Sequence, residues 1–334
     1  PHHLRRAFEH APAAHRKKRV ANEGDAGRGD PIGDVPHGVP RRVEDFRLEA
    51  AEVQRAGLRD AGIEADSDVI FAERFERGDW RKDWSDFDPA ALPDAVAAAP
   101  KERFEALDGK ALKVTVARGE RQGLNMHLRL DKHAGAEPQE VYFRYYLRLG
   151  ESWNPTVTGG KLPGLAGTYN RGGWGGRTAD GTNGWSARGQ FFQIPASETA
   201  FESFRPIGSY LYHADGKTKY GDPLGWNLGP TGMLEKNRWY SIEQYVKLNS
   251  LDKADGVLRA WIDGKLVFEK TDVRYRSVPE LKIESVWMNV YHGGIAKAKS
   301  DLSLFIDNVV VARKYIGPLQ RPDSVAVKAP ATAK

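Results

Sequence analysis

The chain has no cysteine in 334 residues and only three methionines. The first absence excludes disulfides, cysteine-ligated metal sites and thiol nucleophiles, while leaving the compartment open. Also missing is any apolar run near the roughly 20 residues that a helix needs to cross a bilayer, so no membrane partner is expected. Paired carboxylates spaced Glu-x-Asp-x-x-Glu on one strand, as a hydrolase of glycosidic bonds would use, are lacking too. The nearest approach is Glu64-Ala65-Asp66, with Val69 where the last Glu should stand. No internal repeat is evident. The chain starts at Pro1 with neither an initiator methionine nor an apolar leader, and a leader removed earlier would leave this appearance.

What is present is basic and β-like. The net charge is +5, and a basic balance favours polyanions. Nothing resembles a nucleic-acid motif, so nucleic acid is not the expected partner. Residues 1–61 read as a polar N-terminal arm. It carries the cluster Arg16-Lys17-Lys18-Arg19 and a short helical pattern at 44–60. From Asp68 the texture turns to strands. Leu112–Val116, Trp239–Leu248, Ser285–Tyr291 and Leu302–Val311 alternate or are β-branched. Val257–Phe268 reads as a hairpin, because Asp263-Gly264 supplies the positive φ that a two-residue loop needs. Residues 88–104 read as a connection with one helical turn, and 319–334 as a disordered tail. Many strands and few helices indicate an all-β sandwich of two sheets over 62–318.

Two strands offer a polar face of unusual composition. Leu124, Met126, Leu128 and Leu130 alternate with Asn125, His127 and Arg129. Val141, Phe143, Tyr145, Leu147 and Leu149 alternate with Tyr142, Arg144, Tyr146 and Arg148. A solvated face would carry more Lys, Glu and Thr, so Asn125, His127, Arg129, Arg144, Tyr146 and Arg148 are candidate ligand contacts. His292, at a strand end, is another.

The chain is organised around residues 159–213. Gly160-Lys161-Leu162-Pro163-Gly164 is followed by the loop Gly172-Gly173-Trp174-Gly175-Gly176-Arg177 and by Asp180-Gly181-Thr182-Asn183-Gly184. Then come Trp185-Ser186-Ala187-Arg188 and Ser209-Tyr210-Leu211-Tyr212. Tight glycine turns beside exposed aromatics suit a carbohydrate cleft, with Trp174 and Asn183 as candidate contacts. In a strand, residues two apart share a face, roughly 6.5–7 Å apart. Ser186 and Arg188 therefore pair on one face, as do Tyr210 and Tyr212. With Lys161 they assemble cations, a hydroxyl and phenols without an obligatory carboxylate. Such a set suits an anionic substrate and proton abstraction beside its carboxylate. Lys161 and Arg188 would stabilise the enolate-like charge. Tyr210 and Tyr212 are candidates for acid and base, in either order, if neighbouring cations pull a phenol toward its anion.

The Gly-Lys-Leu-Pro-Gly, Ser-Ala-Arg and Tyr-x-Tyr order resembles polysaccharide lyases of family 14, which include alginate lyases and related polyuronate lyases. The likeness runs from about Gly62-Ile63-Glu64 to Tyr315-Ile316-Gly317-Pro318 and includes Phe305–Val311 as a closing strand. It implies a β-jelly roll and β-elimination at C5/O4 of an acidic polysaccharide such as alginate or glucuronan. It also implies catalytic roles for Lys161, Ser186, Arg188, Tyr210 and Tyr212, with Lys161 itself a possible proton-transfer group. No cofactor is implied; Asp residues at strand ends are compatible with a structural Ca²⁺. A secreted or periplasmic monomer acting on a polymer is the matching expectation. More residues separate Ser186 from Tyr210 than the resemblance leads one to expect in alginate-cleaving members, which leaves the uronate open. A non-catalytic lectin-like module of the same fold is the alternative.

Overall fold

The computed structural model describes residues 62–157, 159–193, 204–227 and 232–319. The expected arm at 1–61, with its helical pattern, lies outside the described residues. So does the expected tail, except Leu319, which is buried rather than loose. The strands in chain order are β1 (Val69–Glu73), β2 (Asp94–Val96), β3 (Ala111–Val116), β4 (Gln122–Arg129) and β5 (Glu140–Leu149). They continue with β6 (Gly159–Gly167), β7 (Trp185–Phe192), β8 (Phe204–Tyr212), β9 (Asp222–Gly225) and β10 (Met233–Glu235). Last come β11 (Trp239–Lys247), β12 (Gly256–Ile262), β13 (Lys265–Val273), β14 (Ser285–Tyr291) and β15 (Leu302–Ala312). A five-residue helix, α1 (Leu130–Ala134), follows β4.

Two antiparallel sheets result. One has the order β13-β12-β11-β5-β15-β3-β2, with β1 added on β15; the other runs β10-β8-β7-β6-β14-β4, with β9 on β8. Alternation dictates what fills the space between them. Met126, Leu165, Ala187, Leu211 and Met288 come from the second sheet, and Val141, Phe143, Ile242 and Ile306 from the first; all are fully buried. Each of the larger of these side chains, Ala187 aside, contributes on the order of 1.5–3 kcal/mol by leaving water.

The polar face of β5 has a structural use. Arg144 donates Nη1 to Gly317 O at 3.0 Å, and the Tyr146 hydroxyl accepts from Leu319 N at 2.9 Å. Arg148 donates to the carbonyls of Glu102 and Arg103. Beside them Glu243 accepts the backbone N–H groups of Ile316 and Gly317 at 2.8 and 2.9 Å. These groups fasten residues 102–103 and 316–319 onto the outer face of the first sheet. Arg144, Tyr146 and Arg148 are therefore not ligand contacts, contrary to expectation. The two arginines replace water with backbone carbonyls, which is what a buried cation needs.

The β12–β13 turn is the one expected, with φ of 49° at Asp263 and 78° at Gly264. A Cβ on Gly264 would meet Pro318 Cδ at 3.1 Å. Gly264→Ala should thus cost about 1–2 kcal/mol, mainly from the left-handed backbone. In urea the midpoint should fall at constant slope; an unchanged midpoint would show that the turn relaxes without strain.

Candidate functional site

The site is built on the outer face of the second sheet, where register decides which side chains meet. Ser186 lies opposite Tyr212 and Arg188 opposite Tyr210 across β7 and β8. Lys161 lies opposite Gln190 on β7 and Tyr291 on β14. Simple alternation along β6 would put Lys161 on the same face as Leu165, in the core. It does not, because the β6–β7 register slips by one residue between Leu162 and Gly164. Pro163 is the extra residue of this bulge, and a bulge reverses which way the following side chains point. Lys161 is thereby aimed outward, while Leu162 and Leu165 both remain in the core.

All five expected catalytic residues come together. Lys161 Nζ sits 3.4 Å from the centroid of the Tyr210 ring. The guanidinium carbon of Arg188 lies 4.3 Å from the Trp287 ring, and its Nη1 donates to Asn289 Oδ1 at 3.0 Å. Gly164 stands between Arg188 and Trp287 in the register and has no side chain to hold them apart. The Tyr210 and Tyr212 rings meet edge to face at 5.6 Å. Among the described residues neither Lys161 nor Arg188 pairs with a carboxylate, so both charges are offset only by rings and neutral dipoles. Burial pushes the Lys161 amine down to about 7, and Arg188 adds to that. Burial likewise takes Arg188 down to about 10. The Tyr210 phenol rises to about 12, through burial first and the neighbouring Tyr212 second, with Arg188 opposing. The expectation that adjacent cations would draw a tyrosine toward its anion fails at Tyr210, where desolvation outweighs the charge.

Ser186 is fully buried and faces a loop. Its Oγ donates to Gly173 O at 2.6 Å, and three residues on Gly176 N donates to the Tyr212 hydroxyl at 3.2 Å. The glycine-rich loop is thus tied at both points to the strand pair carrying the phenols. Trp174, at its tip, meets Trp287 edge to face at 6.5 Å and carries Arg177 over its own ring at 3.9 Å. Asn183 is spent inside the loop, donating to Thr178 O and accepting from Asp180 N.

Of the β4 residues, His127 stacks on Trp287 at 5.0 Å and bonds Ser285 Oγ at 3.0 Å. Burial pushes it down to about 4, with Asp86 opposing and Arg129 and Arg188 reinforcing, so it is a neutral ring at neutral pH. Asn125 Oδ1 accepts from Trp287 Nε1 at 2.8 Å. Arg129 pairs with Glu284 at 2.8 Å, at the end of the same face. His292 does not join them. It follows Val286, Met288 and Val290 in the alternation of β14 and is buried, with Nδ1 near Ala296 O. Trp287, Asn289 and Gln190 were missed by the sequence reading. Trp287, Asn289 and Tyr291 share the polar side of β14, and Gln190 stands two residues after Arg188, so alternation would have found them. Gln190 is buried beside Lys161 with Oε1 unpartnered among the described residues. No group of three or more His, Asp or Glu able to hold a metal occurs among the described residues.

Ser186→Ala leaves the strand intact but removes one loop tether. The loss of one hydrogen bond, about 1 kcal/mol, should speed amide exchange at Gly176 about fivefold. Unchanged exchange there would show that the loop is held by other contacts.

Residues 107–301 match the family polysaccharide lyase 14. No curated protein matches by sequence. Among solved structures, alginate lyase Aly36B in complex with an alginate tetrasaccharide superposes with a TM-score of 0.57 at 19% identity. The match covers 74% of this chain and 95% of that one. The PL-14 alginate lyase of Aplysia kurodai gives 0.53 at 15% identity, over 75% and 99% of the two chains. Alginate lyase vAL-1 from Chlorella virus gives 0.50 at 15%, over 70% and 92%. The shared fold is the β-jelly roll.

Proposed function

The chain belongs to polysaccharide lyase family 14, and from that premise we propose that it cleaves a uronate-containing polysaccharide by β-elimination. The observation that carries this reading is the convergence of Lys161, Arg188, Tyr210 and Tyr212 on one sheet face, with Lys161 held near neutrality. Structural similarity to alginate lyases, one with an alginate tetrasaccharide bound, supports a polyuronate as the substrate.

Elimination needs a cation on the carboxylate, a base for the C5 proton and an acid for O4. Arg188 suits the first task, since its guanidinium is fixed by Asn289 and Trp287 and pairs with no carboxylate among the described residues. Lys161 suits the second. An amine at about 7 is largely proton-free just above neutrality, whereas a phenol at about 12 is not. The C5 proton passes to Lys161 Nζ, a C4–C5 double bond forms, and the C4–O4 bond breaks. Tyr210, still protonated, gives its proton to the departing O4. Tyr212, anchored by Gly176, lines the same pocket and orders Tyr210. The aromatic wall of Trp287, Trp174 and His127 offers sugar rings a flat apolar surface. Localisation outside the cell, where such polymers occur, fits this substrate, and a monomer is sufficient for it because the residues invoked belong to one chain.

A panel of alginate blocks and glucuronan, followed by ultraviolet absorbance and mass spectrometry, checks the reaction class. Products should carry a 4,5-unsaturated uronate at the new non-reducing end; saturated products containing solvent oxygen would mean hydrolysis. The sign of the pH dependence follows from the lowered amine. Below about 7 Lys161 is protonated and inactive as a base, so the rate should rise about tenfold per pH unit and level off above that value. Lys161→Ala should lower turnover by roughly 10²–10⁴-fold and remove this limb. A limb that persists in the variant would pass the base role to another group.

A further inference from the structure

The bulge that aims Lys161 has a cost that is met from the opposite sheet. Pro163 has no N–H to give a neighbouring strand, and its carbonyl is turned away from the ladder into the core. The core side of that carbonyl is marked by Gly189: a Cβ built there would lie 2.9 Å from Pro163 O. A buried carbonyl without a donor is expensive, and one donor is present. Gln244 Nε2 donates to Pro163 O at 2.9 Å. Gln244 lies on β11, in the first sheet, and is fully buried. It occupies a core-facing position between Ile242 and Val246, and its register partners are Ala260 and Phe143. An aliphatic residue would be the ordinary occupant of such a position. The amide is kept even though its Oε1 finds no partner among the described residues. Burying a half-satisfied amide in an apolar core lowers stability, so its presence there calls for a use.

We propose that Gln244, outside the cleft and in the other sheet, is a positioning residue for Lys161. By capturing the Pro163 carbonyl it holds the bulge that turns Lys161 out of the core and onto the Tyr210 ring. The chain of contacts is short: Gln244 to Pro163, and Pro163 to Lys161 two residues earlier on the same strand. Without the amide, the carbonyl gains by rotating back toward the β7 ladder, and Lys161 rotates with it. The proposal rests on the reading of Lys161 as a group of the elimination reaction.

The test uses Gln244→Leu and Gln244→Met, which keep the volume and remove the donor. Both should remain folded, with a cooperative thermal transition. Turnover should fall up to about a hundredfold, as a displacement near 1 Å at the reacting centre does, with KM within about threefold of the parent. In crystal structures of the variants Lys161 Nζ should leave the Tyr210 ring, and the acid limb of the rate profile should move upward as the amine gains water. A folded variant with parental turnover and Lys161 in place would overturn the proposal. So would failure of both variants to fold, which would make the amide a structural requirement alone. A parent protein inactive on every polyuronate would sink the functional reading only; the position of Lys161 in the variants would still decide this one.

Discussion

A buried Arg188 and a half-buried Lys161, with no carboxylate paired to either among the described residues, are the constraint from which the rest of this molecule follows. Lys161 rests on the face of Tyr210 and Arg188 on the face of Trp287. Desolvation disfavours both charges, and at Lys161 the neighbouring Arg188 adds to it. A ring face and a neutral amide recover part of that cost and leave the cations electrostatically unsatisfied. An anionic sugar can complete such a site, whereas a resident carboxylate would have filled it.

The sandwich supplies what this arrangement requires. Strands β6, β7 and β8 hold the reacting groups in adjacent rows, and the apolar faces beneath them lock the register. The glycine-rich loop, tied through Ser186 and Tyr212, closes one side. Rigid strands rather than mobile loops carry Lys161, Arg188 and both tyrosines, which favours electrostatic preorganisation. The outer face of the first sheet spends its own arginines on backbone carbonyls, so the two sheets divide the basic residues between structure and chemistry.

Much of this was legible beforehand because strand alternation is a strict rule. It paired Ser186 with Arg188 and Tyr210 with Tyr212 and separated the faces of β4, while turn chemistry placed Asp263-Gly264. The failures share a cause. Alternation says which residues share a face but not what covers it, so Arg144, Tyr146 and Arg148 looked like ligand contacts until the segments lying on them were seen. His292 was judged by its place at a strand end, whereas its parity sends it inward. Lys161 was assigned to the cleft by motif alone, and only the Pro163 bulge explains how it gets there. Electrostatics was the least readable part: burial at Tyr210 depends on neighbours from three strands, and no spacing rule conveys it.

The central claim is that burial, not a change in side-chain chemistry, makes Lys161 available as a base. The most direct measurement is a titration of the Lys161 ε-methylene by carbon-detected NMR in the ligand-free protein, assigned by comparison with Lys161→Ala. A midpoint near 7 is the result this account predicts, and one near the ordinary 10.5 of lysine would contradict it.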